Sequence, residues 1–167
     1  MGTRTENFRL SYIVLSLLFV LSIILNNFIG IAGIHPDILL ILLFYLAARE
    51  KPYIVLFAAF AFGFLQDIFL PGNIQYWGLS PLFKTLLAYA LLKLRPFILR
   101  LKGFTHFAVV FGMMFLYFVF YDLLYYSGYI RLVAVLYRYA FPETAYTFLL
   151  FTAFQRIFPL GKKDKGL

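Results

Sequence analysis

The sequence predicts an all-α fold: a polytopic membrane protein of six transmembrane helices, forming a single integral membrane domain over residues 1–167 with both termini cytoplasmic. Three observations predict it. Charged residues make up only 13% of the chain against 63% hydrophobic, with a mean hydropathy of +0.89. A soluble domain carries roughly a quarter charged residues, so too little charge is present to cover a water-soluble surface. The apolar residues fall in six stretches, about 10–28, 36–48, 53–70, 79–94, 104–126 and 141–158. Several approach the ~20 residues that cross a bilayer as a helix, and the strict alternation a membrane β-barrel needs is missing. With the N-terminus inside, twelve of the fifteen Lys and Arg residues fall on the cytoplasmic side, as the positive-inside rule requires.

The polar opening "MGTRTENFRLSY" leads into an apolar run too long for a signal peptide, with no A-x-A-like cleavage site after it. The run 10–28 is therefore read as a retained first span. Thr5 stands one residue short of the N-myristoylation pattern. The second, fourth and sixth spans are each framed by prolines: Pro36 and Pro52, Pro81 and Pro96, Pro142 and Pro159. With Pro71, all seven prolines sit at predicted boundaries, where a helix tolerates them. Each frame corresponds to about 24 Å of helix, enough for a thin bilayer. Between the fourth and fifth spans, "PFILRLKG" (96–103) alternates apolar and basic residues and is expected along the inner surface. The outer connection "SGYIRLVAVLYRYA" (127–140) could form a seventh, short interfacial helix. "YLAAREKP" and "YALLKLRP" read as one interfacial stop signal used twice, being too short a match for a duplicated transporter half.

The net charge of +8 is spread in short basic clusters between apolar runs, which suits anionic lipid headgroups and not nucleic acid. Cysteine is absent, which excludes disulfides, thiolate metal sites and a Cys nucleophile. His35 and His106 are expected near opposite faces and cannot share a metal. No nucleophile elbow, zinc-protease motif or phosphate-cradling glycine loop is present, so no catalytic, cofactor-binding or metal-ligating residue is assigned.

The candidate residues are instead the few polar groups near the membrane. Asp67 and Asp122 are expected at the outer ends of the third and fifth spans, and Asp37 and Glu143 at the outer starts of the second and sixth. The helix dipole favours Asp37 and Glu143 in first turns, and opposes Asp67 and Asp122 in last turns and Lys84 in a first turn. The expectation is that Asp67 pairs with Lys84, with Gln66 as a hydrogen-bonding neighbour. Such a group can set helix register or partner choice, couple to ions or protons, or be an ordinary wetted charge. The aromatic segment "MMFLYFVFYDLLYYSGY" (113–129) fits either an interfacial belt or a contact surface for another membrane helix.

"HPDILLILLFYLAAREKP" and "FAAFAFGFLQDIFLPGNIQYWGLSPL", with the six-span plan, resemble the MreD family of bacterial rod-shape-determining membrane proteins. The residues that carry the resemblance are Pro36, Asp37, Arg49, Gly63, Gln66, Asp67, Gly72 and Gly78, within about residues 35–95. It implies a non-enzymatic scaffold of the cell-elongation complex in the bacterial inner membrane. Its partners would be MreC and, through it, MreB, the RodA-type glycosyltransferase and its penicillin-binding transpeptidase. Asp37, Gln66, Asp67, Lys84 and Asp122 are then the candidates for partner binding or helix register, and Pro36, Gly63, Pro81 and Pro142 for structure. The family is similar in fold to substrate-binding subunits of energy-coupling-factor transporters. A small-molecule-binding subunit of a vitamin-type transporter is thus the alternative. A proton-coupled carrier would need a relay at the membrane midplane, which acids gathered at one face do not supply.

Overall fold

The predicted spans from the second onward each correspond to a helix in the computed structural model of the chain, which describes residues 34–69, 77–126 and 132–157. The predicted first span lies outside the described residues. The helices are α1 (Ile38–Arg49), α2 (Pro52–Phe69), α3 (Leu79–Ile98), α4 (Phe104–Tyr125), α5 (Leu132–Val135) and α6 (Phe141–Ile157). A π-helical turn, Leu136–Ala140, joins α5 to α6. No strand occurs among the described residues.

Two prolines do not lie where a boundary was expected. Pro96 is inside α3, which runs on to Ile98. It falls in the last turn, where little helix remains to be disturbed, and the Leu99 N–H still reaches the Arg95 carbonyl at 3.0 Å. Pro142 follows the π turn in a continuous helical run from 132 to 157. Its missing N–H would have bonded to the Arg138 carbonyl. Just before it, the Phe141 N–H reaches back five residues to Leu136, so the turn widens ahead of the proline. Residues 132–140 are therefore helical as expected, but continuous with the last helix and not a separate interfacial element.

α1 is the central helix. Every residue from Leu39 to Ala47 is buried, and the helix packs on α2, α3 and α6. Its 12 residues span about 18 Å, short of a bilayer's hydrocarbon core. Enclosure by protein removes the need to match lipid at both ends. α2 and α3 pack most extensively, and Gly63 shows why. A Cβ there would lie 2.3 Å from the Pro81 Cα and 2.5 Å from the Ser80 carbonyl carbon. Only glycine lets the two backbones approach this closely. On the other side, Phe111 meets Phe148 edge-on at 5.2 Å and Phe44 meets Phe151 at 5.7 Å, fastening α6 to α4 and α1.

Much of the exterior is apolar. Tyr53, Phe57, Phe60, Phe64 and Ile68 form an exposed stripe along α2, and Leu116, Phe120 and Leu124 another along α4. A helix on a water-facing surface would carry polar residues there. Among the described residues one helix, α4, is long and apolar enough to cross a membrane; α1 and α2 are shorter apolar helices. These properties fit a membrane protein.

Hydrogen bonds define two opposite ends of the bundle. At one, the starts of α1, α3 and α6 meet the ends of α2 and α4 and carry Asp37, Asp67, Asp122 and Glu143. At the other, Arg95 Nη1 donates to the Glu50 carbonyl at 2.9 Å, joining the ends of α3 and α1. There too His106, in the first turn of α4, meets Gln155 near the end of α6. The described residues of this second end carry Arg49, Lys51, Lys93, Arg95, Arg100, Lys102 and Arg156 against a single acid, Glu50.

Candidate functional site

Lys84 is fully buried, a rare position for a cation. It lies in the second turn of α3, and Nζ enters the core and donates to Asp37 Oδ2. A second donation reaches the Tyr117 hydroxyl of α4 at 3.0 Å. Tyr117 in turn stands 3.5 Å from the same Asp37 oxygen, and its ring lies 5.0 Å from the ammonium. Asp37 is also the N-cap of α1: Oδ1 accepts the Leu40 N–H at 2.8 Å. Its own N–H donates to Thr147 Oγ1 of α6 at 3.1 Å. Asp37 thus ties α1 to α3 and α4 through its carboxylate and to α6 through its backbone N–H. Burying an isolated charge costs several kcal/mol or neutralises it; this centre supplies both the opposite charge and the remaining hydrogen bonds.

The expected Asp67–Lys84 pair is not formed. The Asp67 carboxylate accepts the Gly78 N–H at 2.7 Å, at the left-handed N-cap of α3. Asp67 ends α2 against its dipole, but it sits on the positive terminus of the next helix, and this contact satisfies it. Lys84, one turn deeper, is left to Asp37. Gln66 Oε1 is buried with no partner among the described residues. Asp122 is buried in the last turn of α4, and its Oδ2 likewise lacks a partner among them. Glu143 lies close enough to Asp122 and Asp37 for their charges to interact. Glu143 is in the first turn of α6, but the π turn continues the helix before it, so it gains less from the dipole than a true N-terminus would give. Among the expected structural residues, Pro36 is buried ahead of the Asp37 cap, and Pro81 is the surface that Gly63 approaches.

Four contributors were not singled out from the sequence: Tyr117, Thr147, Ser80 and Tyr121. Ser80 Oγ donates to the Tyr121 hydroxyl at 3.2 Å. Tyr117, Tyr121 and Tyr125 stack at about 6 Å intervals along α4; Tyr125 meets Tyr126, and Tyr126 stacks on Tyr139 of the π turn at 4.4 Å. The four-residue spacing of the first three was the visible signal, since it places them on one helix face. His35 and His106 fall at opposite ends of the bundle, and no group of three or more His, Cys, Asp or Glu side chains able to hold a metal ion occurs among the described residues.

The centre is closed. Lys84, Ser80, Thr144 and Thr147 are fully buried, and Asp37 and Asp122 nearly so. Its chemistry is that of a paired and capped internal charge that fixes how four helices meet. No protein-family model matches this chain, and no curated protein or solved structure matches it.

Proposed function

We propose that this chain is a non-enzymatic scaffold of the MreD type. It would cross the bacterial inner membrane six times with both termini in the cytoplasm. There it binds MreC and helps to organise lateral peptidoglycan synthesis by MreB, the RodA-type glycosyltransferase and its penicillin-binding transpeptidase. The resemblance of residues 35–95 supplies the family. The observation that carries the scaffold reading over a transport subunit is the closure of the Lys84 centre. A ligand site presents convergent polar groups in an accessible pocket. Here Lys84, Asp37 and Tyr117 are spent on one another and have almost no exposed surface to offer a ligand, which suits a rigid frame that offers its apolar faces to a partner helix. The exposed stripes on α2 and α4 provide such faces.

Two experiments test this. The full-length protein, extracted in mild detergent, is expected to co-purify with an MreC-type partner and to carry no stoichiometric small molecule. A tightly bound vitamin-like ligand without partner capture would sink the scaffold reading. Reporter tags are expected to place both chain ends in the cytoplasm, and ends on opposite sides would remove the six-span topology.

A further inference from the structure

The basic end carries a cleft that the scaffold role does not use. It holds about 240 Å³ and lies where the α3–α4 connection passes over the end of α6. Leu99, Leu101 and Phe107 form its apolar wall, and Lys102, His106 and Gln155 supply its polar groups. The Ile98 carbonyl, 3.3 Å from His106 Nδ1, can only accept, so Nδ1 carries the proton. Nε2 then accepts from the Gln155 amide at 3.2 Å. His106 is held between the Ile98 carbonyl and the Gln155 side chain, and the fixed positive charge in the cleft is that of Lys102. Arg100 and Arg156, exposed, adjoin the lining residues in the chain. The one acid among the described residues of this end, Glu50, holds through its carbonyl the Arg95 side chain that lines a neighbouring, smaller cavity.

We propose that this cleft binds the phosphate of an anionic phospholipid. Lys102 takes the phosphate oxygens, the Gln155 amide offers its second N–H, and the proximal acyl chain lies on Leu99, Leu101 and Phe107. The volume is below the range of pockets for drug-sized ligands and is suited to a headgroup. Its mixed wall matches a molecule that is charged at one end and apolar at the other, and a lone inorganic anion would leave the leucines unused. The seven basic side chains among the described residues of this end raise the local concentration of such a lipid.

The test uses full-length protein in neutral detergent and counts retained lipid by native mass spectrometry. Dioleoyl phosphatidylglycerol is expected to be retained at one per chain, at conditions that strip dioleoyl phosphatidylcholine. Lys102→Ala should lower that retention about fivefold, as removal of one basic contact to an anionic lipid predicts. Lys102→Arg should keep it, and Lys51→Ala, at the same end but outside the cleft, should leave it within about twofold. Lys102 is exposed, so an unchanged melting temperature is expected for all three. Equal retention of the two lipids, or equal losses for Lys51→Ala and Lys102→Ala, would overturn the proposal. Full displacement by millimolar inorganic phosphate would overturn it too, since the cleft would then be a site for free phosphate.

Discussion

At the acidic end of the bundle the decisive charges are taken inside and matched, whereas at the basic end they stand at the surface. Lys84 has no contact with solvent and is bound by Asp37 and Tyr117, while Arg100, Lys102 and Arg156 are exposed. A buried pair adds little net stability relative to a well-packed apolar pair, but it penalises every arrangement that separates its members. Exposed charges impose no such penalty and respond to whatever surrounds them. The difference assigns architecture to one end and interaction with the surroundings to the other.

The sharpest way to break this contrast is to remove one member of the buried pair. Lys84→Ala leaves Asp37 charged or forced to protonate in the core, and is expected to cost about 3–5 kcal/mol, read as a large loss of thermal stability in detergent. The double change Asp37→Asn with Lys84→Met keeps an N-cap and removes both charges, so it should recover most of that loss. Next in size is Gly63→Ala. The new Cβ would strike backbone of Pro81 and Ser80, and the α2–α3 crossing should open at a cost of about 1–3 kcal/mol or more. Thr147→Val removes the acceptor of the Asp37 N–H and should cost about 1–2 kcal/mol. Asp67→Asn can still accept the Gly78 N–H, and its effect is expected to stay below about 1 kcal/mol. A ranking in which Asp67→Asn exceeded Lys84→Ala would reverse the assignment of the pair.

Helix positions were readable because the apolar runs are long and proline punctuates them. That Asp37, Asp67, Asp122 and Glu143 gather at one end was readable too, since it follows from the order of turns along the chain. The partner of Lys84 was not. Asp67 and Asp37 both lie near the start of the lysine's helix in any up-and-down bundle, and which one reaches it depends on the depth at which helices cross. Gly63 sets that depth for α2 and α3, and a glycine in an apolar run does not announce which backbone it will meet. Asp37 also looked satisfied by its own helix, as a cap on the dipole. Its second oxygen was free to take the lysine, and one-dimensional reasoning assigned the whole carboxylate to a single task. Pro142 misled for a related reason: proline forbids one hydrogen bond, not a helix, and a turn widened by one residue lets the chain pass it.

That widened turn also sets a phase. An α-helix rotates about 100° per residue, so the additional residue stored between Leu136 and Ala140 turns α5 by roughly that angle against α6. At this setting Tyr139 meets the face of Tyr126. A chain shortened there by a single residue would keep Thr147 beside Asp37 and yet swing Tyr139 away, cutting the row of phenol rings off from the last helix. Counting, as much as chemistry, decides whether that row is continuous.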